Sequence, residues 1–333
     1  MQPHSRRTFL ALGLITLTTA CTSSPESDPR SDVMPGNKGP GPDPDDPARL
    51  RAIAATDTLL AAYDTALATA GAQTALLRPL RADTAQHRAA LAYGIPAASV
   101  PPAPTTPAAT PTHTPATLAA LERQTAQAHL TDLGAVQPPL ARLLASVATS
   151  NTLHAAVLGA PLDDQPTPTT PPPPSATPAP ATSTPGTSLP ALQNALSAEH
   201  AAVYGYGVVG AHLPEDQQRA DARTFYAAHQ SQRDAWQRLL ITLGATPTPA
   251  AGGYQLPFAV TDAPTATKLA AHLETRLTTV YADLVAALPA PQRPAAATAL
   301  RDCALRAHHW GAPDTPFPGI PEPVPTPTVT RQS

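Results

Sequence analysis

The chain has 333 residues, with 21 basic and 24 acidic side chains for a net charge of −3, and 44 prolines. Charge is sparse and no basic run exists, which argues against nucleic acid as a partner, because binding a phosphate backbone needs clustered cations. Two cysteines, Cys21 and Cys303, cannot build a disulfide framework, so any folded part must be held by packed cores.

Residues 1–21 read as an export signal. Arg6 and Arg7 ahead of Phe9-Leu10 match the twin-arginine pattern. The apolar run that follows is too short to cross about 30 Å of hydrocarbon. Small residues before Cys21 form a lipoprotein-like cleavage site at which the thiol takes a diacylglyceryl group, although Thr18 stands where such sites usually carry Leu. Lipidation of Cys21 is the expectation, with plain secretion or an uncleaved signal anchor as alternatives. The chain is then exported, either to the outer face of the cytoplasmic membrane, held there by the lipid, or in secreted form. Loss of Arg6 and Arg7 leaves 19 basic side chains against 24 acidic ones.

Residues 22–47 are rich in Pro, Asp, Ser and Gly, too poor in apolar surface to offset chain entropy, and read as a disordered tether. As a flexible coil it would reach roughly 30 Å. Residues 48–160 and 189–312 are two blocks, each with four helical stretches rich in Ala and Leu. Residues 161–188, with Pro171 to Pro174, read as a stiff Pro-rich linker, and 313–333 as a Pro-rich tail. Each block has a short turn after its first helix (near Gly71; near Leu213-Pro214) and a long connection after its second (Pro96 to Pro115; Gly244 to Pro264). A final short turn precedes its fourth helix (Val136 to Pro139; Pro289 to Pro291). Short, long, short is the layout of a four-helix bundle with one crossover connection. The expected fold is all-α, two tandem ferritin-like bundles.

Asp57 and His87 are separated by the same 30 residues as Glu199 and His229, which suggests one helical hairpin used twice. In the second block, Leu189, Leu192, Leu196, Val203, Tyr206, Gly210 and Leu213 follow steps of three and four, and Glu199 fills the gap in that stripe. The facing stripe is Ala222, Tyr226, His229, Trp236, Leu240 and Leu243, with Arg233 on it. The third runs Ala270, Glu274, Leu277, Tyr281, Leu284, Leu288, and the fourth Leu300, Ala304, His308, with His309 beside it. The first block repeats this with Leu50, Ile53, Asp57, Leu60, Asp64 and Leu67, then Leu77, Leu80, Thr84, His87 and Leu91. Leu118 with Glu122, and Leu140, Leu143, Val147, Asn151, His154 and Leu158, complete it. Each block thus offers acid, His, acid, His.

Di-iron bundles also need a carboxylate three residues before the histidine on two helices, because two hard cations need bridging oxygens. Here Thr84, Asn151, Tyr226 and Leu305 or Arg306 stand in those places, so an intact di-iron site is not expected. Two readings remain. One is a buried hydrogen-bonded network in which Glu199 meets His229 or Arg233 and Glu274 meets His308. The other is a mononuclear transition-metal site for Fe, Mn or Zn on Glu199, His229, Glu274 and His308, and more weakly on Asp57, His87, Glu122 and His154. His200, His212 and His272 lie off the stripes and are expected in solvent, and Cys303 is expected as a small buried apolar residue. No phosphate loop, CxxC, His-Glu-x-x-His or nucleophile elbow is present, so hydrolase chemistry has no support.

Ala198-Glu199-His200-Ala201-Ala202-Val203-Tyr204-Gly205-Tyr206-Gly207, His229 to Asp234, Tyr254-Gln255-Leu256-Pro257 and Phe317-Pro318-Gly319-Ile320-Pro321-Glu322 together resemble a bacterial, mostly actinobacterial, ferritin-like domain family of unknown function. The resemblance covers about residues 189–322 and implies the ferritin-like fold, with no activity, cofactor or ligand set attached. The expected role is a non-enzymatic binding or assembly module with degenerate metal sites. A metal-binding or redox protein is the alternative, and a protein partner or self-association stays open.

Overall fold

A computed structural model describes residues 43–69, 71–95, 99–100, 113–160 and 185–321. The export signal with Cys21, nearly all of the tether, most of the first long connection, the linker to residue 184 and the tail beyond 321 lie outside the described residues. The described chain is all-helical, with eight α-helices and no strand. They are α1 (Asp46–Thr69), α2 (Thr74–Ala92), α3 (Pro115–Thr131), α4 (Pro138–Val157), α5 (Pro185–His212), α6 (Asp216–Thr242), α7 (Ala263–Ala287) and α8 (Arg293–His309).

Local chemistry explains the boundaries. Thr114 caps α3 through Thr117 in a reciprocal box with Pro115 behind it, and Asp262 caps α7 through Thr265 in the same way with Pro264 behind it. These caps satisfy N–H groups that a helix start leaves unpaired, and proline is tolerated there because it lacks one. Single 3-10 turns at Gly71–Gln73 and Ala290–Gln292 make the two short connections expected near Gly71 and Pro289 to Pro291. The helices also take in residues expected outside the blocks: α1 starts at Asp46, and α5 starts at Pro185 inside the expected linker.

Helices α1 to α4 pack as one set (α1 on α2 and α3, α4 on α3 and α2) and α5 to α8 as another (α5 on α6 and α7, α7 on α8). The sets are not separate beads. Helix α4 packs on both α7 and α8, and the described residues form one compact unit. One core runs from Ile53, Leu91, Leu133, Leu140 and Leu144 into Leu192, Trp236, Tyr281, Leu284 and Leu300. Arg293 pins the join: its Nη1 donates to the carbonyls of Leu133 (2.8 Å) and Val136 (2.6 Å), and its Nε to Leu288 (3.1 Å). Arg142 of α4 adds an ion pair with Asp283 of α7 at 2.9 Å.

The start of the expected Pro-rich tail is a packed strap. After α8, Gly311 (φ +80°) ends the helix in the left-handed region. Phe317 then buries itself on Ala90 and Val147, the Pro316 carbonyl accepts from His87 Nε2 (2.6 Å), and the Pro318 carbonyl accepts from Ser146 Oγ (2.8 Å). Gly319 has φ +80°, and a Cβ there would lie 2.5 Å from the Thr278 carbonyl oxygen and 2.8 Å from Ala282 Cβ. Only glycine fits that approach. The tail of the second set is thereby laced into the first.

Candidate functional site

In the second set the expected stripes hold at the centre. Glu199, Tyr206, His229, Trp236, Glu274 and Tyr281 are all buried, two from each of α5, α6 and α7. His229 Nδ1 lies 2.8 Å from Glu199 Oε2 and its Nε2 lies 3.0 Å from Glu274 Oε1. With both ring nitrogens facing carboxylates, His229 donates from each and is an imidazolium. Burial works against that charge, but Glu274 and Glu199 together outweigh it and hold the pKa up at about 9.

The fourth corner is Arg306, not His308. Arg306 Nε donates to Glu274 Oε1 at 2.7 Å, and its Nη2 lies 3.2 Å from the Cys303 sulfur. Burial alone would raise the Glu274 carboxyl, yet Arg306 and then His229 bring it down to about 2. His308 lies two residues further round α8, on the outside, where its Nδ1 meets Asp314 at 3.0 Å, and His309 pairs with Asp221 at 3.1 Å. Two residues turn a helix by about 200°, which is the difference between core and surface. Arg233, weighed as a partner for Glu199, instead pairs with its neighbour Asp234 at 2.7 Å.

Two tyrosines and both tryptophans of the chain extend this cluster. Trp310 Nε1 donates to Tyr206 OH (2.9 Å), which donates to Glu274 Oε1 (2.6 Å); Trp236 Nε1 donates to Tyr281 OH (3.2 Å), which donates to Glu199 Oε1. Burial and the adjacent carboxylates hold both phenols well above the usual tyrosine range, so they stay neutral donors. Two carboxylates thus face one imidazolium and one guanidinium, and the cluster is neutral within itself. Burial keeps Cys303 a thiol beside it, a small core residue as expected. Sequence reasoning missed Arg306, Tyr206 and Tyr281 as members. A signal was available for Arg306: Glu122 to His154 and Glu274 to Arg306 are both 32 residues apart.

The first set is arranged differently from its expected stripes. Glu122 accepts from Tyr63 OH (2.6 Å), His154 Nδ1 (2.9 Å) and Asn151 Nδ2 (2.6 Å). His154 Nε2 also stands 3.6 Å from Asp83, and although burial opposes it, Glu122 and Asp83 hold the His154 pKa up at about 9. Asp57 and His87 do not meet. Arg88, next in the chain to His87, takes Asp57 in a two-pronged ion pair. His87 instead donates to the strap, its Nδ1 has no hydrogen-bond partner, and burial followed by the nearby His154 charge pushes its pKa down to about 3. The face of α1 beyond Asp57 is Leu59, Tyr63 and Ala66, with Asp64 outside on Arg81. His129 is buried with both ring nitrogens unpartnered and its pKa pushed down by burial to about 4. His200, expected in solvent, is buried under the Thr248 carbonyl at 3.3 Å.

These residues pair with one another and are not set out around a metal ion. Both nitrogens of His229 are used by carboxylates, Arg306 already supplies the positive charge at Glu274, and His308 is turned away. Among the described residues no group of three or more His, Cys, Asp or Glu side chains has a metal-holding arrangement.

Residues 191–322 match a family described as a domain of unknown function (DUF4439). This segment is a DUF4439 domain. The crystal structure of a conserved hypothetical protein, rv2844, from Mycobacterium tuberculosis is 36% identical over an alignment covering 38% of this chain and 97% of that one, with a TM-score of 0.37. No curated protein matches the chain. The DUF4439 segment contains every member of the second-set cluster and the strap as far as Pro321.

Proposed function

We propose that this chain is an exported, lipid-anchored protein of two tandem ferritin-like bundles, in which former metal positions have become self-neutralised ion clusters, and that it acts as a non-catalytic binding or assembly module. The observation that carries this reading is the Arg306 to Glu274 ion pair, with His229 held between two carboxylates. A guanidinium in that position does the electrostatic work of a cation, so the buried carboxylates need no metal to be stable. Export and the anchor rest on Arg6, Arg7 and the residues before Cys21, and the bundle assignment on the repeated layout of turns and connections. Elemental analysis of natively exported protein tests it. The expected metal content is far below one equivalent, and one or more equivalents of tightly bound Fe, Mn or Zn per chain would defeat it.

The second reading, a mononuclear metal on Glu199, His229 and Glu274, is favoured by a single observation: Glu274 Oε2 is buried and has no hydrogen-bond partner. It requires His229→Ala to strip metal from the exported protein, and a variant with unchanged metal content removes it.

A further inference from the structure

Large apolar side chains in solvent gather at one end of the molecule. That end is where α1, α4, α5 and α8 begin and where α2, α3, α6 and α7 finish. The Asp45 carboxylate ahead of α1 accepts from the Gln137 N–H ahead of α4 (2.9 Å), Arg293 at the head of α8 reaches the carbonyls of the α3–α4 turn, and Gln193 Nε2 in α5 donates to the Thr246 carbonyl just beyond α6 (2.7 Å). Helix α5 runs antiparallel to α7, since Glu199 meets Tyr281 and Tyr206 meets Glu274, which brings the start of α5 and the finish of α6 to the same end. Six large apolar side chains are exposed among the described residues, and four of them, Tyr93, Leu189, Ile241 and Leu243, stand here. Ile241 is 63% exposed, the most of the six.

Ile241 and Leu243 sit on a helix end whose last carbonyls are already used. Gly244, in the left-handed region (φ +75°), returns its N–H to the Ile241 carbonyl at 2.9 Å, and Ala245 returns its own to Leu240 at 2.9 Å. Such an end can enter an apolar medium, where bare carbonyls would be costly. Tyr93, at the finish of α2, pairs an apolar ring with a hydroxyl, the combination suited to a boundary between hydrocarbon and water. Among the charged side chains at this end Asp43 and Asp46 offset Arg49 and Arg238, and Arg51 is paired with Asp132. Neither sign dominates, so the face offers contact through its apolar groups.

The point at which the chain enters indicates what meets this end. Asp43 is the first described residue, and Cys21, the expected lipid site, stands 22 positions earlier. A chain of that length has an r.m.s. reach of roughly 25 Å as a coil. Helices α5 and α6 are 28 and 27 residues long, which puts the opposite end of the bundle ~40 Å farther off. A membrane that holds Cys21 is therefore met first by the end that carries the exposed apolar side chains. We infer that this end is a membrane-contact face, which seats Ile241 and Leu243 among the acyl chains of a lipid surface with Tyr93 and Leu189 at headgroup level. This inference rests on the lipid-anchored reading and adds how the bundle stands on the membrane. Because the anchor keeps the face at high local concentration, a few apolar side chains are enough to orient it.

The test uses the full exported chain in vesicles of phosphatidylcholine that carry a nitroxide on an acyl chain. An environment-sensitive thiol label is placed at Thr242→Cys, between the two apolar side chains, or at Ala211→Cys in the last turn of α5 at the opposite end. Both positions are exposed, and Cys303 is buried. Strong nitroxide quenching is expected at position 242 and none at 211, and Ile241→Ser combined with Leu243→Ser should abolish it. Circular-dichroism melts establish that the double variant is folded, and the comparison of the two ends stands without it. No quenching at 242, equal quenching at both ends, or quenching that survives the two serine substitutions in a folded chain overturns the inference. So does energy transfer between labels at 242 that rises with the protein-to-lipid ratio without nitroxide quenching, which would mean that a second copy covers this face. Intact mass of the same material separates the two readings: a chain without the acyl group on Cys21 defeats the anchored reading and this inference with it, whereas an acylated chain unquenched at 242 defeats this inference alone.

Discussion

Replacing Arg306 by Met is the most direct test of the cluster. The substitution keeps much of the side-chain volume while removing the guanidinium 2.7 Å from a fully buried carboxylate. Glu274 would keep His229 and Tyr206 but lose its second cation, leaving two buried carboxylates against one imidazolium. Breaking one partner of a buried ion pair costs about 3–5 kcal/mol. For a cooperative unit of this size that corresponds to a melting-point drop of roughly 6–20 °C. Urea unfolding followed by tryptophan fluorescence is a suitable assay, because Trp236 and Trp310 both hydrogen-bond to tyrosines of the cluster. The double variant Arg306→Met with Glu274→Gln removes the orphaned charge as well, and should recover at least half of the loss, since the penalty belongs to the uncompensated carboxylate. A single variant within about 1 kcal/mol of the parent would refute the argument. A double variant less stable than the single one would refute it too.

Stability should also depend on pH with a maximum near 6.5. His229 and His154 have folded pKa values of about 9, above their ordinary 6.5, so their contribution is complete below 6.5 and is lost as the pH rises through 9. His87 and His129 are held neutral at about 3 and 4, so the unfolded chain takes up protons first and stability falls as the pH drops from 6.5 toward 4. Glu274, at about 2, adds a further loss only below its ordinary 4.5. Each histidine contributes about 1.4 kcal/mol per pH unit within its window, and urea midpoints between pH 4 and 10 would show the maximum; a flat profile contradicts it. His129→Leu should be neutral or stabilising by about 1 kcal/mol, because both ring nitrogens are buried without partners, and a clear loss in the same assay would reveal a bond to that ring. Gly319→Ala should destabilise by at least about 2 kcal/mol through its left-handed φ and the contact with the Thr278 carbonyl, and should expose Phe317 to limited proteolysis at the strap.

The sequence was most readable where one helix faces one core. Every predicted stripe residue of α7 and its C-cap, from Ala270 to Leu288, is buried, and the shared 30-residue spacing placed Glu199 against His229 at hydrogen-bond distance. The identical spacing of Asp57 and His87 failed because spacing fixes height and not partner. Arg88, one residue away, has a longer reach and a stronger claim on a carboxylate, and His87 found the Pro316 carbonyl, 229 positions on. His308 was favoured over Arg306 by its residue type, when the second 32-residue spacing pointed to Arg306. The strap was hidden by its composition, since a proline-rich stretch reads as a tail unless the lone Phe317 and the constrained Gly319 are weighed against it. The union of the two sets did leave a trace: α4 is buried nearly all round, with Ala141, Ala145, Ala148 and Ala155 as well as its leucines, and such a helix needs neighbours on every side.

What the second-set cluster gives the fold is register. The helices that meet there present mostly Ala and Leu, and ridges of such similar side chains pack almost equally well after a shift of one turn, about 5.4 Å. Glu199, His229, Glu274 and Arg306 come from α5, α6, α7 and α8 in that order, and each is satisfied only at one height. Sliding any one helix by a turn would bury at least one unpaired charge, a cost of several kcal/mol that no regained Ala or Leu contact offsets. The first set has no equivalent ring of four. Its Glu122 bonds Tyr63, Asn151 and His154, and nothing from α2 reaches it except Asp83 through His154. There α2 is fixed instead by the strap on His87 and by Arg88 on Asp57. The strap thus does for the first set part of what the fourth corner does for the second.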